Sequence, residues 1–258
     1  MPVLTDAEIG AWIGSYLWPL FRVASFFMSI PFIGTQLVPM RVRLGLALLV
    51  TMTILPSVGT VPQIDALSLH SLFVIFQQVL IGASLAFMLT MMVQLFVVAG
   101  QIVAMQMGLG FAQMVDPTNG VSVPVLAQFY LISVTLAFLS LNGHLVMIEI
   151  IVNSFTVWPI TTTMIPAEVL WEMIVRISWL FEGALLMALP IVMSVFIVNI
   201  SFGVMTRAAP QMNIFSLGFP IGLIFGLIVV WVTFPSFLPF FQSIVEDTFI
   251  FINGLQGL

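Results

Sequence analysis

The chain has 258 residues, of which 61% are hydrophobic and only 6% are charged, and its mean hydropathy is +1.24. A soluble domain carries about 25% charged residues because its surface must face water. Ten acidic and five basic side chains cannot coat a globule of this size, so the composition excludes a soluble protein and indicates a polytopic membrane protein.

Six apolar stretches follow one another along the chain, separated by clusters of Pro, Gly and polar residues. A short amphipathic tail with Glu246 and Asp247 comes after them. Asp6 and Glu8 are the first charges, so the chain has no basic n-region and we expect the first stretch to be retained. The stretches run from about Ile9 to Ile33, Leu44 to Val58, Leu67 to Met107, Val123 to Val157, Met173 to Met205 and Phe215 to Phe241.

The spacing of the charges favours membrane-spanning helices. No charged residue lies in 66–115, 117–148, 183–206 or 208–245. Each of these ranges exceeds the ~20 residues that cross a bilayer as a helix, and the apolar runs are continuous rather than alternating. The sequence therefore predicts an all-α integral membrane protein with about six long, kinked helical segments that form hairpins.

The distribution of arginine predicts the orientation. Arg41 and Arg43 follow the first stretch and Arg207 follows the fifth, and short cytoplasmic loops are enriched in such residues. Six crossings with both termini outside satisfy this pattern, although Arg176 does not fit it.

The third stretch is too long for a simple crossing. Its ~40 residues would form a helix of ~60 Å, about twice the thickness of the hydrocarbon core. Either the helix breaks, for which Gly82, Gly100 and Gly108 offer weak points, or it continues beyond the membrane against apolar partners. The second alternative predicts that the chain is part of a hydrophobic assembly.

The segment from Met105 to Gly120 is too apolar for a solvated loop and too rich in Gly, Asp and Pro for a helix. Irregular backbone survives at membrane depth only where protein buries it or a cavity hydrates it. Two interpretations stay open at this point, a re-entrant or pore-lining loop and an extramembrane loop with a few apolar contacts.

Methionine is abundant, at 17 residues, and six of them lie between Met88 and Met114. Because the thioether side chain is flexible and polarizable, a ring of methionines with Phe111 could close a pore yet part for varied chains. The alternative is that these side chains fill helix interfaces.

Three ionisable residues lie within apolar stretches, namely His144, Glu149 and Glu182. Such residues are functional candidates because a charge at the bilayer centre costs several kcal/mol unless it is paired or hydrated. A proton relay is one interpretation. We favour the other, in which they are buried as ion pairs or as neutral carboxyls against a neighbouring subunit, with Arg22, Arg176 and Arg207 as possible partners.

Catalysis and cofactor binding are not indicated. The chain has no cysteine and two histidines, and it contains no nucleotide, redox or hydrolase motif. The acidic balance and the absence of lysine argue against nucleic acid. The sequence predicts no catalytic, cofactor or metal site.

A series of different short motifs is spread along nearly the whole chain. They are Pro31 with Pro39, Arg41 and Arg43; Gly100-Gln101; Gln106 to Phe111; Asp116-Pro117 and Pro124; Asn142-Gly143-His144; Pro190 with Asn199 and Gly203; Arg207 to Asn213; and Gly218-Phe219-Pro220. Their order and spacing resemble the FliR family of flagellar biosynthesis proteins, which are export-gate components of bacterial type III secretion. Gly222 departs from the family pattern, which often has a basic residue there.

The resemblance implies a place in a hetero-oligomeric export gate of the bacterial inner membrane, within the flagellar basal body. FliP-type and FliQ-type subunits would surround the chain, an FlhB-type protein would pack at the cytoplasmic base, and unfolded flagellar proteins would pass through. It also implies a FliP-like part over 1–165 with a pore plug at about 106–123, and a FliQ-like hairpin with the tail over 166–258. The join would fall near Pro159 to Glu168.

The resemblance and the chemistry of the segment together suggest residue roles. We expect Met107 and Phe111 to occlude the pore, Gly108 and Gly110 to act as hinges, and the Asp116-Pro117 turn to set the exit of the loop. Met105 and Met114 would complete the plug. The turn of the FliQ-like hairpin would contact the FlhB-type partner through Arg207, Pro210, Gln211 and Asn213.

Two alternative functions remain. The chain could be the equivalent gate subunit of a virulence injectisome, which a motility test would separate from the flagellar role. It could also be a stand-alone small-solute transporter, but no inverted repeat supports that interpretation.

Overall fold

The structure is a computed structural model that describes residues 6–34, 38–59, 62, 68–109, 124–162, 164–208 and 214–255, with the backbone alone at 6–13 and 214–217. These ranges contain nine α-helices, two 3-10 turns and no strand. The helices are α1 (Asp6–Ser29), α2 (Met40–Ile54), α3 (Leu69–Gln106), α4 (Val125–Ser140), α5 (Gly143–Val157), α6 (Ala167–Val175), α7 (Ile177–Ala208), α8 (Ile214–Thr233) and α9 (Phe237–Leu255).

The prediction of an all-α membrane protein is confirmed. Four helical segments in the described ranges are long and apolar enough to cross a membrane, or five if the bent α4–α5 pair counts as one span. The predicted number of about six is therefore approximate. The four segments are Met40–Ser57, Leu69–Gln106, Ala167–Ala208 and Gly218–Leu255.

The third stretch forms one continuous helix of 38 residues, so two of its three predicted weak points are not breaks. Gly82 packs against the Arg22 carbonyl and the Ser25 hydroxyl of α1. At Gly100 a Cβ would lie only 2.6 Å from the Ala127 Cα of α4. Both glycines therefore allow a neighbouring helix to approach the backbone of α3, as small residues do at membrane helix interfaces.

The fourth stretch does break, into α4 and α5, which meet at 74°. Asn142 stands at the bend with φ 57° and ψ 27°, a left-handed conformation that asparagine tolerates better than most residues. The Asn142-Gly143 pair is a turn signal in the sequence, and α5 begins directly after it.

The last two stretches also divide. Arg176 separates α6 from α7, and a 3-10 turn at Phe234–Ser236 separates α8 from α9. In contrast, α7 runs through Pro190 without ending, although proline cannot donate the usual helical hydrogen bond.

The chain folds as two compact units that interleave along the sequence. The first comprises Met1–Met91, Leu139–Arg176 and Asp247–Leu258, and the second comprises Met92–Phe138 and Ile177–Glu246. Each unit takes segments from both sides of residue 165. The division into a FliP-like part over 1–165 and a FliQ-like part over 166–258 stays a prediction.

The second unit has an aromatic core. The Phe96 ring lies 5.5 Å from that of Phe237 and 5.7 Å from that of Phe241, and Tyr130 stacks on Phe237 at 6.1 Å. Offset and edge-to-face contacts of this kind add to the free energy gained from burying the rings. They join α3, α4 and α9 within this unit.

Candidate functional site

The carboxyl end of α3 leads into the segment that the sequence singled out, and a Schellman motif ends the helix there. The Leu109 N–H donates to the Ala104 carbonyl at 2.9 Å, and the Gly108 N–H donates to the Met105 carbonyl at 3.1 Å. Gly108 has φ 83°, which only glycine adopts without a steric penalty. Gly108 therefore stops the helix, and its action as a hinge stays a prediction.

The two described methionines of the predicted plug point in opposite directions. Met105 is 65% exposed, whereas Met107 is 3% exposed and packs on Gly226 of α8, where a Cβ would lie 2.7 Å from the Met107 Cγ and Cε. Met107 thus anchors α3 within an apolar cluster that includes Val103 and Val195. Of these two methionines only Met105 is accessible on the isolated chain, and the role of Met107 as an occluder stays a prediction.

A pocket of about 620 Å³ lies beside this end of α3 in the second unit. Helices α3, α7 and α8 form its walls, and none of its lining residues is charged. The lining residues are Met105, Gln106, Met107 and Gly108 of α3, Val195, Asn199, Phe202 and Gly203 of α7, and Gly218, Phe219 and Gly222 of α8.

The remaining predicted plug and turn residues lie outside the described residues. They are Gly110, Phe111, Met114, Asp116 and Pro117 of the plug, and Pro210, Gln211 and Asn213 of the turn. Arg207 is described, and it is exposed in the last turn of α7.

His144, Glu149 and Glu182 are all exposed on the isolated chain. The residues that the structure describes therefore do not bury these three side chains. Arg176, one of their possible partners, is engaged elsewhere. It forms an ion pair with Asp247 at 2.6 Å. Arg176, which does not fit the orientation predicted from the other arginines, is thus paired with an acidic residue.

Among the described residues, the most buried ionisable side chain is Arg22, which the sequence predicted only as a possible partner for a carboxylate. Arg22 is 0% exposed within the first unit. Its Nε donates to the Gln78 Oε1 at 2.8 Å, and its terminal nitrogens donate to the carbonyls of Ser154 and Trp158, both at 2.7 Å. The guanidinium also lies 4.2 Å from the centre of the Phe155 ring.

Arg22 therefore caps the carboxyl end of α5 and ties that end to α1 and α3. Cations are favourable at helix carboxyl ends, where the last carbonyls lack helical partners. The sequence did contain a signal for this role, because Arg22 is the single arginine in the apolar stretch from Ile9 to Ile33. Charged residues buried in membrane proteins often pair with backbone carbonyls. Within the described residues no group of three His, Asp or Glu could hold a metal ion.

The chain matches the family described as "Bacterial export proteins, family 1" over residues 13–248. It is 34% identical over 246 residues to the flagellar biosynthetic protein FliR of Escherichia coli (strain K12), covering 95% of this chain and 94% of that one. It is 26% identical to FliR of Bacillus subtilis (strain 168), with 95% of each chain covered. It is also 26% identical to the surface presentation of antigens protein SpaR of Shigella flexneri, with 82% of each covered.

Proposed function

This chain belongs to the family of bacterial export proteins, family 1, and on that premise we propose that it is a membrane component of the flagellar protein-export gate. Its match to flagellar FliR proteins along nearly the full length of both chains carries the proposal. The long apolar helices support a membrane position, for which we propose the bacterial inner membrane within the flagellar basal body.

The segment at about 106–123 is proposed to plug the export pore. Two features support this role: α3 ends sharply at Gly108, and Met105 holds its side chain outward at the start of the segment. Apolar side chains in a narrow channel exclude water and so form a barrier to ions. An unfolded substrate would displace the segment, and flexible methionines would close around the passing chain. The chain performs no chemistry in this proposal, so other components supply the energy.

The partners are proposed to be FliP-type and FliQ-type subunits, with an FlhB-type protein at the cytoplasmic base. The C-terminal helices have large apolar surfaces that the described residues leave uncovered. Only 17% of the apolar window in Ala167–Ala208 and 22% of that in Gly218–Leu255 is buried. Neighbouring subunits would replace lipid along these faces. The turn at 207–213 is proposed to contact the FlhB-type protein.

The equivalent role in a virulence injectisome is the second candidate. The 26% identity to SpaR of Shigella flexneri favours it, although the flagellar relatives reach 34% identity. Deleting the gene distinguishes the two: loss of motility supports the flagellar role, and intact motility with loss of effector secretion supports the injectisome.

Deleting residues 108–118 tests the plug. We expect the inner membrane to become permeable to small ions, measured as conductance after expression of the variant with its co-purifying subunits. Gly45→Ala, which meets no neighbouring atom within 4 Å, is the matched control and should leave conductance low. An unchanged conductance in the deletion variant would remove the plug role.

Replacing Pro210 and Gln211 with Ala tests the turn. We expect weaker co-purification of the FlhB-type partner, while recovery of the FliP-type and FliQ-type subunits stays unchanged. Undiminished recovery of the FlhB-type partner would contradict the assignment.

A further inference from the structure

A different pocket in the second unit has aromatic walls. It measures about 200 Å³ and lies where α4 and α7 meet the 3-10 turn between α8 and α9. We call it the aromatic pocket after the rings of Tyr130, Phe234, Phe237 and Phe240 that line it. A cavity of about 150 Å³ is enough to bind benzene, so the aromatic pocket has room for one small ring.

The hydroxyl of Tyr130 is a polar group that the protein leaves unsatisfied at this pocket. Tyr130 is 3% exposed, and its hydroxyl forms no hydrogen bond within the described part of the chain. A buried tyrosine hydroxyl usually has a partner, because leaving it without one costs free energy. An occupant of the pocket that carries a hydrogen-bonding group would satisfy it.

A backbone acceptor lies at the same pocket. In a regular helix the N–H of residue 190 would donate to the Leu186 carbonyl, but Pro190 has no N–H. Leu186 and Pro190 both line the pocket, so the gap in the hydrogen bonding of α7 is next to it. A hydroxyl group suits this pair of groups, because it can accept from Tyr130 and donate to a carbonyl.

The arrangement of the rings favours an aromatic occupant. Phe234 and Phe237 are parallel within 8° with their centroids 5.5 Å apart, and Tyr130 stacks on Phe237 at 6.1 Å. A further ring beside this stack gains offset or edge-to-face contacts in addition to the area that it buries. None of the lining residues is charged, so a charged occupant would lose its hydration without gaining a counter-charge.

We propose that the aromatic pocket binds a small neutral aromatic molecule that carries one hydroxyl group, of the phenol class. The ring of the ligand packs beside Phe234 and Phe237. Its hydroxyl pairs with the Tyr130 hydroxyl and the Leu186 carbonyl. Bound in this way, the ligand joins α4, α7 and α9 and stabilises the second unit by mass action.

The site does not depend on contact with lipid. Leu186, Phe234 and Ser236 are exposed at the rim of the pocket, whereas Tyr130 and Phe237 are buried. A neighbouring subunit that covers the rim would enclose the pocket, and enclosed apolar cavities still admit small rings such as benzene.

Fluorine NMR titration of the purified full-length chain, with the subunits that co-purify with it, tests the proposal. The probes are 4-fluorophenol, fluorobenzene, which lacks the hydroxyl, and 4-fluorocyclohexanol, which lacks the aromatic ring. We expect saturable binding of 4-fluorophenol that is about fivefold tighter than that of either other probe, because a neutral hydrogen bond and an aromatic contact each contribute about that factor. Uptake by the detergent micelle does not saturate and is thereby separated from binding at the site.

Two substitutions test the polar contacts. Tyr130→Phe should weaken the binding of 4-fluorophenol about fivefold and leave that of fluorobenzene unchanged. Pro190→Ala restores the N–H that reaches the Leu186 carbonyl, so it should also weaken 4-fluorophenol severalfold. Tyr16→Phe is the matched control, since Tyr16 lies on α1 in the first unit, and it should change neither affinity.

Filling the pocket tests its location. Ser236→Phe adds a ring at the rim and should lower the affinity for every probe more than about tenfold, whereas Ser243→Phe adds the same ring at an exposed position of α9 that does not line the pocket. If no probe binds saturably, the pocket holds only water or a side chain of a neighbouring subunit, and the proposal is overturned. A preference for 4-fluorophenol that survives Tyr130→Phe would overturn it as well. None of these measurements depends on export, so the proposed function stands or fails separately.

Discussion

Arg22 allows a quantitative test of what stabilises the first unit. The guanidinium is fully buried and donates to four acceptors. These are the Gln78 Oε1 on α3 and, at the carboxyl end of α5, the carbonyl and hydroxyl of Ser154 and the Trp158 carbonyl. Arg22→Met keeps a long apolar side chain but removes every donor. The acceptors would then stay buried without water to replace the lost bonds.

The expected loss follows from those acceptors. The Ser154 carbonyl also accepts the Trp158 N–H at 3.0 Å, so it keeps one hydrogen bond. The Gln78 Oε1 is fully buried, and leaving such an acceptor unsatisfied costs about 1–3 kcal/mol. The Trp158 carbonyl is partly buried and costs less, and the buried contact of Arg22 with Phe155 contributes about 2 kcal/mol. We therefore expect Arg22→Met to lower the free energy of unfolding by about 4 kcal/mol, within the range for breaking a buried polar pair.

Thermal unfolding of the detergent-purified full-length chain measures this loss. A change of about 4 kcal/mol corresponds to a midpoint about 8–16 °C lower for a chain of this size. Arg41→Met removes an exposed arginine and should leave the midpoint unchanged. The double variant Arg22→Met with Gln78→Met should recover part of the loss, because removing both partners leaves no buried glutamine acceptor.

Two results would refute this reasoning. If Arg22→Met unfolds at the same temperature as the unchanged chain, the buried hydrogen bonds do not stabilise the unit. If the double variant with Gln78→Met is no more stable than Arg22→Met alone, unsatisfied acceptors are not the cause of the loss.

Four further substitutions have expected effects on stability. Gly108→Ala should destabilise the chain by about 1–2 kcal/mol because alanine is strained at φ 83°, while Gly45→Ala in the interior of α2 should stabilise it by about 0.5–1 kcal/mol, both measured as thermal midpoints. Gly226→Val should lower the midpoint by several degrees, since a Cβ there would lie 2.7 Å from the Met107 side chain that packs on Gly226. An unchanged midpoint would mean that the close packing of Met107 on Gly226 does not stabilise the chain. Asp247→Asn should cost at most about 1 kcal/mol, because its ion pair with Arg176 is partly exposed; a larger loss, by the same measurement, would contradict that estimate.

The sequence predicted the candidate site only in part. The chemistry of the segment after Gln106 singled it out correctly as the point where α3 ends, because Gly108 is a recognisable stop signal. It did not distinguish Met105 from Met107, since the two differ only in which face of α3 they occupy. Met107 is buried because it packs on Gly226, which lies more than a hundred residues further along the chain.

The burial of Glu149 and Glu182 against a neighbouring subunit stays a prediction. Each side chain is exposed on the isolated chain, so a neighbouring subunit would have to supply the burial. An apolar stretch indicates that its surroundings are nonpolar but does not say what they are. In a membrane protein they can be lipid, another subunit or the chain's own core.

Hydropathy and charge spacing were enough to predict a membrane protein built of helices, because both sum over local residues and need no tertiary contact. The Asn142-Gly143 pair also carries a local signal for the bend between α4 and α5. In contrast, the sequence did not predict that α3 passes Gly82 and Gly100 unbroken or that Arg22 binds carbonyls and an amide. Those outcomes depend on which distant backbone approaches each residue, and local composition does not encode that approach.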